Sequence, residues 1–215
     1  MKKIIILFVL AILGTGNVLA QRAFPMGLGP FVAVKACVNT STIMNGTKTG
    51  LSFNSIPDFG ATFYLPFSTQ SHIGATLDVG YSTYSIKSKP ESGANDDNTI
   101  ISQGNYFSIA PNIYLSGLML GLNFGIPVGA SSGNLSGSGL LGSIPVSSSD
   151  LATSVEIRLG GMIPLVNDAT GRLNFIVMGG YVLTGMDKDD TSEYNPKAAS
   201  LMMGFNYLFS LKKSK

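Results

Sequence analysis

The chain contains no tryptophan, a single cysteine, a single histidine and only 12% charged residues. Cys37 has no second thiol, so no internal disulfide can staple the fold, although export would permit one. Charges this sparse cannot wet the surface of an ordinary soluble domain. No long stretch carries apolar residues at helical spacing, which excludes a helical bundle. The one uninterrupted apolar run, Ile4 to Leu13, falls well short of the ~20 residues a membrane-spanning helix needs.

That run has a different use. MKKIIILFVLAILGTGNVLA opens with two lysines, continues through the apolar stretch and ends on small residues at Ala20. A basic start, a short apolar core and a small residue at the cut site predict a secretory signal peptide over residues 1–20, with cleavage before Gln21. No cysteine follows the run, so a lipid anchor is not expected. Lys2 and Lys3 account for the formal charge of +2 and leave with the peptide. The remaining chain, residues 21–215, is near neutral and offers nucleic acid no electrostatic handle. Its length of about 195 residues suits one domain.

Period-two alternation fills that domain. Eight segments of about ten residues each place large apolar side chains on one face and small or polar ones on the other. In FVAVKACV (31–38), Val32, Val34, Ala36 and Val38 oppose Phe31, Ala33, Lys35 and Cys37. In SIPDFGATFYLPF (55–67), Phe59, Ala61, Phe63 and Leu65 oppose Asp58, Gly60, Thr62 and Tyr64. HIGATLDVGYSTYS (72–85) sets Ile73, Ala75, Leu77, Val79 and Tyr81 against Gly74, Thr76, Asp78, Gly80 and Ser82. The same pattern recurs over 105–115, 118–128, 152–163, 172–184 and 198–209; in the sixth segment Val155, Ile157 and Leu159 oppose Ser154, Glu156 and Arg158. Links after the second, fourth and sixth segments are short (STQS, Ser116-Gly117, NDATG), and the others, at 39–50, 87–103, 130–150 and 186–196, are long and polar. Short turns on one rim and long loops on the other predict an all-β fold: an eight-stranded antiparallel up-and-down transmembrane β-barrel in an outer membrane. The serine- and glycine-rich 131–149 stretch is either a loop tip or an extra hairpin that would make ten strands.

The direction of the faces separates two barrels. A soluble, lipocalin-like carrier buries its oily face, whereas a membrane barrel turns that face to lipid. Here the oily faces are large and aromatic, and the opposite faces are rich in glycine and poor in charge, which favours lipid outside. Amides in lipid have no water to bond, so the sheet must close.

The units DFGATFYLPFSTQSHIGATLDVGYSTYS and GLNFGIPVG, and the ending GFNYLF, resemble the small porin-like outer-membrane β-barrel domains of Gram-negative bacteria, kin of the OmpA transmembrane domain. The resemblance covers essentially the whole mature chain. It implies that Gly204, Tyr207 and Phe209, in the last strand, form the signal read by the outer-membrane insertion machinery, although SLKKSK follows Phe209 where many relatives stop.

With lipid outside, Lys35, Asp58, Asp78, Glu156 and Arg158 all point inward, where single charges are costly and should pair in one network. Two cations and three carboxylates leave a residual negative charge for His72, water or a proton to offset. The plain reading is an interior filler; the sharper one is a path for protons or ions. Catalysis is not expected, because His72 begins a strand at the short-turn rim, away from the outer rim where outer-membrane barrel enzymes work. DKDD (187–190) lacks the glycine and terminal glutamate of an EF-hand loop, so no metal or other cofactor is expected. The expectation is a monomer in outer-membrane lipid with a structural or surface-interaction role through its long loops and an unspecified extracellular partner. A small pore or transporter is the alternative, requiring ten strands or an open lumen.

Overall fold

The computed structural model describes residues 24–41, 47–67, 73–90, 99–136, 139–188 and 195–211. The signal segment, His72 and the KKSK tail lie outside these residues. The strands are β1 (Gly27–Asn39), β2 (Thr47–Gly50), β3 (Ser52–Phe53), β4 (Asp58–Pro66), β5 (Ile73–Pro90), β6 (Thr99–Leu115), β7 (Leu118–Ser136), β8 (Gly139–Val146), β9 (Ser154–Asn167), β10 (Gly171–Val182) and β11 (Ala198–Ser210). Antiparallel pairing runs β1-β4-β5-β6-β7-β9-β10-β11, and β11 pairs back onto β1 to close the ring. Eight wall strands result. β2, β3 and β8 extend this wall and add no strand to it.

The extra hairpin raised by the 131–149 stretch does form, because β8 pairs with the far end of β7. β9 pairs with the near end of the same strand, Leu118 to Gly125, so β8 continues the wall above β9 and the count stays at eight. Residues expected to form the loops at 87–103 and 130–150 are in good part strand: β5 runs on to Pro90, β6 starts at Thr99 and β7 reaches Ser136. The stretches TIISQ and ASSGNLS mix hydroxyl, amide and apolar residues with no strict period of two, so in sequence they resemble a loop as much as a strand.

The second wall strand is broken, which its sequence pattern did not reveal. β2 pairs only with β5 and β3 only with β1, while β4 pairs with both. The interruption is NSIP, 54–57, and β4 starts directly after Pro57, whose missing amide cannot join a ladder. Two other prolines flank bulges, which also end regular pairing. Pro127 lies at the shift between Asn105 and Tyr106, and Pro164 at the shift between Leu173 and Asn174. At the short-turn rim, β6 and β7 are joined by Ser116 (φ 51°) and Gly117 (φ 104°). Positive φ at both central residues is the two-residue turn whose twist matches a hairpin.

Side chains on the apolar faces are exposed, including Val34 (61%), Phe53 (70%), Phe59 and Ile126, whereas their opposite numbers are buried. The barrel is therefore inside-out relative to a soluble one.

The filled lumen as candidate functional site

The structure buries Lys35, Asp58, Glu156 and Arg158 in the lumen, with Asp78 beside them on a small cavity. They form two ion pairs and not one five-membered cluster. Lys35 Nζ lies 2.5 Å from Asp58 Oδ2, donates to Ser82 Oγ (2.6 Å) and sits 4.3 Å over the Tyr84 ring. Arg158 Nε lies 2.6 Å from Glu156 Oε2. Asp78 is held by neutral donors: Thr62 Oγ1 at 2.7 Å and Asn112 Nδ2 at 3.1 Å. Register explains the separation. Asp78 pairs with Thr62 across the ladder, while Asp58 is on the same face two pleat repeats away, at the start of β4, and meets β1.

Glu156 is the hub. Its Oε2 also accepts from Tyr84 OH (2.8 Å), its Oε1 accepts from Ser200 Oγ (2.6 Å), and Asn123 Nδ2 donates to Tyr84 OH (2.9 Å). Gly180 makes room, since a Cβ there would lie 2.0 Å from Glu156 Oε1. Asp58 has a second task at the break in the wall. Its Oδ1 accepts the Thr83 backbone N–H (3.0 Å), and Asn54 Nδ2 donates to the Thr83 carbonyl (2.6 Å). Two side chains thus satisfy the backbone groups that the missing strand segment leaves open, as a wall facing lipid requires.

A further buried charge, Arg172, was missed from sequence. It bonds Asn174 Oδ1 (2.6 Å) and Tyr114 OH (3.1 Å), and its guanidinium lies 5.7 Å from the rings of both Phe24 and Tyr114. Its parity with Asn174 on β10 was the available signal. Counting it, the described lumen holds three cations against three carboxylates, and the residual negative charge disappears.

Both ends of the lumen are stoppered. At the short-turn end Phe24 packs on Tyr64 and Tyr64 on the edge of Tyr114, with Arg172 beneath. At the long-loop end Leu151 and Met186 join Tyr84, Tyr106, Ile86 and Val182. The two loops that carry them are tied by a Leu151–Asp187 bridge and by Lys188 N to Asp150 O (2.9 Å). Beside this stopper, partial desolvation raises the pKa of Asp187, which is itself exposed. On the opposite rim, bonds from the Thr170 hydroxyl and from the Gly171 and Thr170 amides lower that of Asp168. Between the stoppers, the cavity lined by Asp58, Asp78, Ser82, Ser108 and Arg158 has a volume of about 20 Å³, room for one water molecule.

On β11, Tyr207 and Phe209 face outward with ring centroids 4.8 Å apart. Gly204 faces inward, and a Cβ there would stand 2.2 Å from the Val32 carbonyl oxygen, so it also permits the closing strands to meet.

A closed ring of eight antiparallel strands, lipid-type residues outside, a polar filled lumen, and short turns opposite long loops together define a transmembrane β-barrel of the Gram-negative outer-membrane kind. Among solved structures the chain is similar to Ail, the attachment invasion locus protein of Yersinia pestis, at 13% identity, 86% of this chain, 100% of that chain and a TM-score of 0.43. It is also similar to the outer membrane protein OprG from Pseudomonas aeruginosa, at 11% identity, 87% of this chain, 98% of that chain and a TM-score of 0.36. No protein-family model and no curated protein matches the chain. Likenesses this slight add nothing to the class, which stands on the strand ring and the inverted faces.

Proposed function

We propose that the protein is a filled outer-membrane barrel that acts structurally or by surface interaction through its long-loop rim, and that it neither conducts nor catalyses. The observation that carries this reading is the lumen, packed with bonded side chains and stoppered at both ends. Residues 1–20 would direct export, and Gly204, Tyr207 and Phe209 would mark the last strand for the insertion machinery. A binding role draws on the long-loop rim because side chains there are released from lipid contact and from lumen packing. The expected state is a monomer, whose partner outside the cell the rim selects.

In a planar bilayer the purified protein is expected to give no conductance steps above the bare-membrane baseline. Stable single-channel steps would favour the pore reading instead.

An even number of strands brings both chain ends to one rim, so the long loops share the other, which the reading puts outside the cell. Ser149→Cys and Lys188→Cys should therefore react with a membrane-impermeant thiol reagent on intact cells, and Ala169→Cys should not. Cys37 can be left in place, being fully buried. Labelling at Ala169 alone would reverse the orientation and remove the surface role.

A further inference from the structure

A guanidinium carries N–H donors in a fixed fork. Among the described residues only the Nε of Arg158 meets a hydrogen-bond acceptor, Glu156 Oε2. The side chain is 6% exposed and lines the internal cavity, so its terminal amino groups are far from bulk water. Leaving such donors unbonded is costly. Asp78, on the same cavity, has acceptor capacity to match. A carboxylate oxygen can take about two hydrogen bonds, whereas Asp78 Oδ1 accepts from Thr62 and Oδ2 from Asn112. Ser108 Oγ donates to Asn123 Oδ1, and its own lone pairs are left to accept.

The rest of the lining makes no such demand. Asp58 is served by Lys35, Ser82 and the Thr83 amide, and Ser82 accepts from Lys35 while donating to Asp58. Met119, Met178 and Met202 close the remaining side with thioethers, which are weak acceptors and donate nothing. Charge narrows the choice of occupant. An anion in the cavity would face Asp58 and Asp78, and a cation would face Arg158. A neutral molecule avoids both repulsions, and a volume of about 20 Å³ admits one the size of water.

We propose that this cavity is a binding site for a single structural water molecule, which accepts from an Arg158 terminal amino group and donates to Asp78 and to Ser108. Three partners are the usual complement of a buried water. The water links Asp78 to the Arg158–Glu156 pair, so the carboxylate without a cation of its own is joined to the charge network through one bridging molecule. It is also trapped. With Phe24 and Tyr64 at one end of the lumen and Leu151 and Met186 at the other, it can leave only when a stopper opens. Such openings take about a microsecond or longer. The residence time rests on the filled-lumen reading; the three hydrogen bonds do not.

The test begins with crystals of the full mature protein that diffract well enough to place ordered water. One water is expected at about 2.7–3.2 Å from both an Arg158 terminal nitrogen and an Asp78 carboxylate oxygen. A bromide soak should leave no anomalous peak there. In solution, deuterium relaxation dispersion of the solvent counts the long-lived waters of the detergent-solubilised barrel. Asp78→Leu, which fills the cavity and removes both acceptors, should hold one fewer than wild type. Asp78→Asn, which keeps polar atoms at the site, should hold the same number. Heat-modified gel mobility checks that each variant is folded, and the wild-type crystal decides the matter if Asp78→Leu does not fold. The proposal is overturned by a dry cavity, by a water that touches only one of Arg158 and Asp78, by a bromide peak, or by an unchanged count in folded Asp78→Leu. Failure of the filled-lumen reading looks different, with conductance steps and a water at the same position that exchanges too fast to be counted.

Discussion

Arg158→Ala is expected to lower the urea unfolding free energy of the micelle-folded barrel by about 3–5 kcal/mol, the usual cost of breaking a buried ion pair from one side. The effect comes from the partner left behind. Glu156 is 1% exposed and would keep only neutral hydrogen-bond donors, Tyr84, Ser200 and a long contact from Asn123, with Lys35, already paired to Asp58, the cation left lining its cavity. Neutral donors replace part of the lost attraction but do not neutralise a carboxylate deprived of water. Lys188→Ala, on the solvated loop rim, should cost only ~0–1 kcal/mol. The double variant Glu156→Gln, Arg158→Met removes both charges and should recover much of the loss, giving a strongly non-additive cycle. Matching midpoints for Arg158→Ala and Lys188→Ala would show that Glu156 does not depend on its neighbour.

Asp58→Ala should be comparably damaging for two separable reasons. It strands Lys35, itself 2% exposed, and it uncovers the Thr83 amide at the break in the wall. An unpaired buried amide adds about 1–3 kcal/mol to the cost of the broken pair. Asp58→Asn separates the two, because its carbonyl oxygen can still accept from Thr83 while the charge on Lys35 goes unmatched. Hydrogen exchange at the Thr83 amide should accelerate markedly in the alanine variant and stay near wild type in the asparagine variant, with both showing lower unfolding midpoints. Thr83 protection that survives in Asp58→Ala would mean the carboxylate does not patch the ladder.

These two sites differ in how far the sequence revealed them. That Asp58, Asp78, Glu156 and Arg158 face inward follows from strand parity, since a period of two leaves each residue one side or the other. Which of them meet does not follow. Tyr84 bonds Glu156 across 72 positions of chain, and Asp78 is served by Thr62 and Asn112, not by a cation, because register around the ring sets the distances. Arg172 was overlooked because it is the second residue of β10, where a strand end and a polar link look alike in sequence.

By itself the sequence determined the eight alternating segments, the outward direction of the oily faces and the alternation of short and long links, while leaving eight or ten wall strands open. Each of these is a local signal, repeated often enough that one weak segment cannot change the result. Tertiary structure alone decided the break at 54–57, the satisfaction of Thr83 by Asn54 and Asp58, the exclusion of β8 from the ring and the stoppers built from Phe24, Leu151 and Met186. Those features depend on which residues distant in the chain arrive at the same height in the barrel, and that height is fixed only when the ring closes.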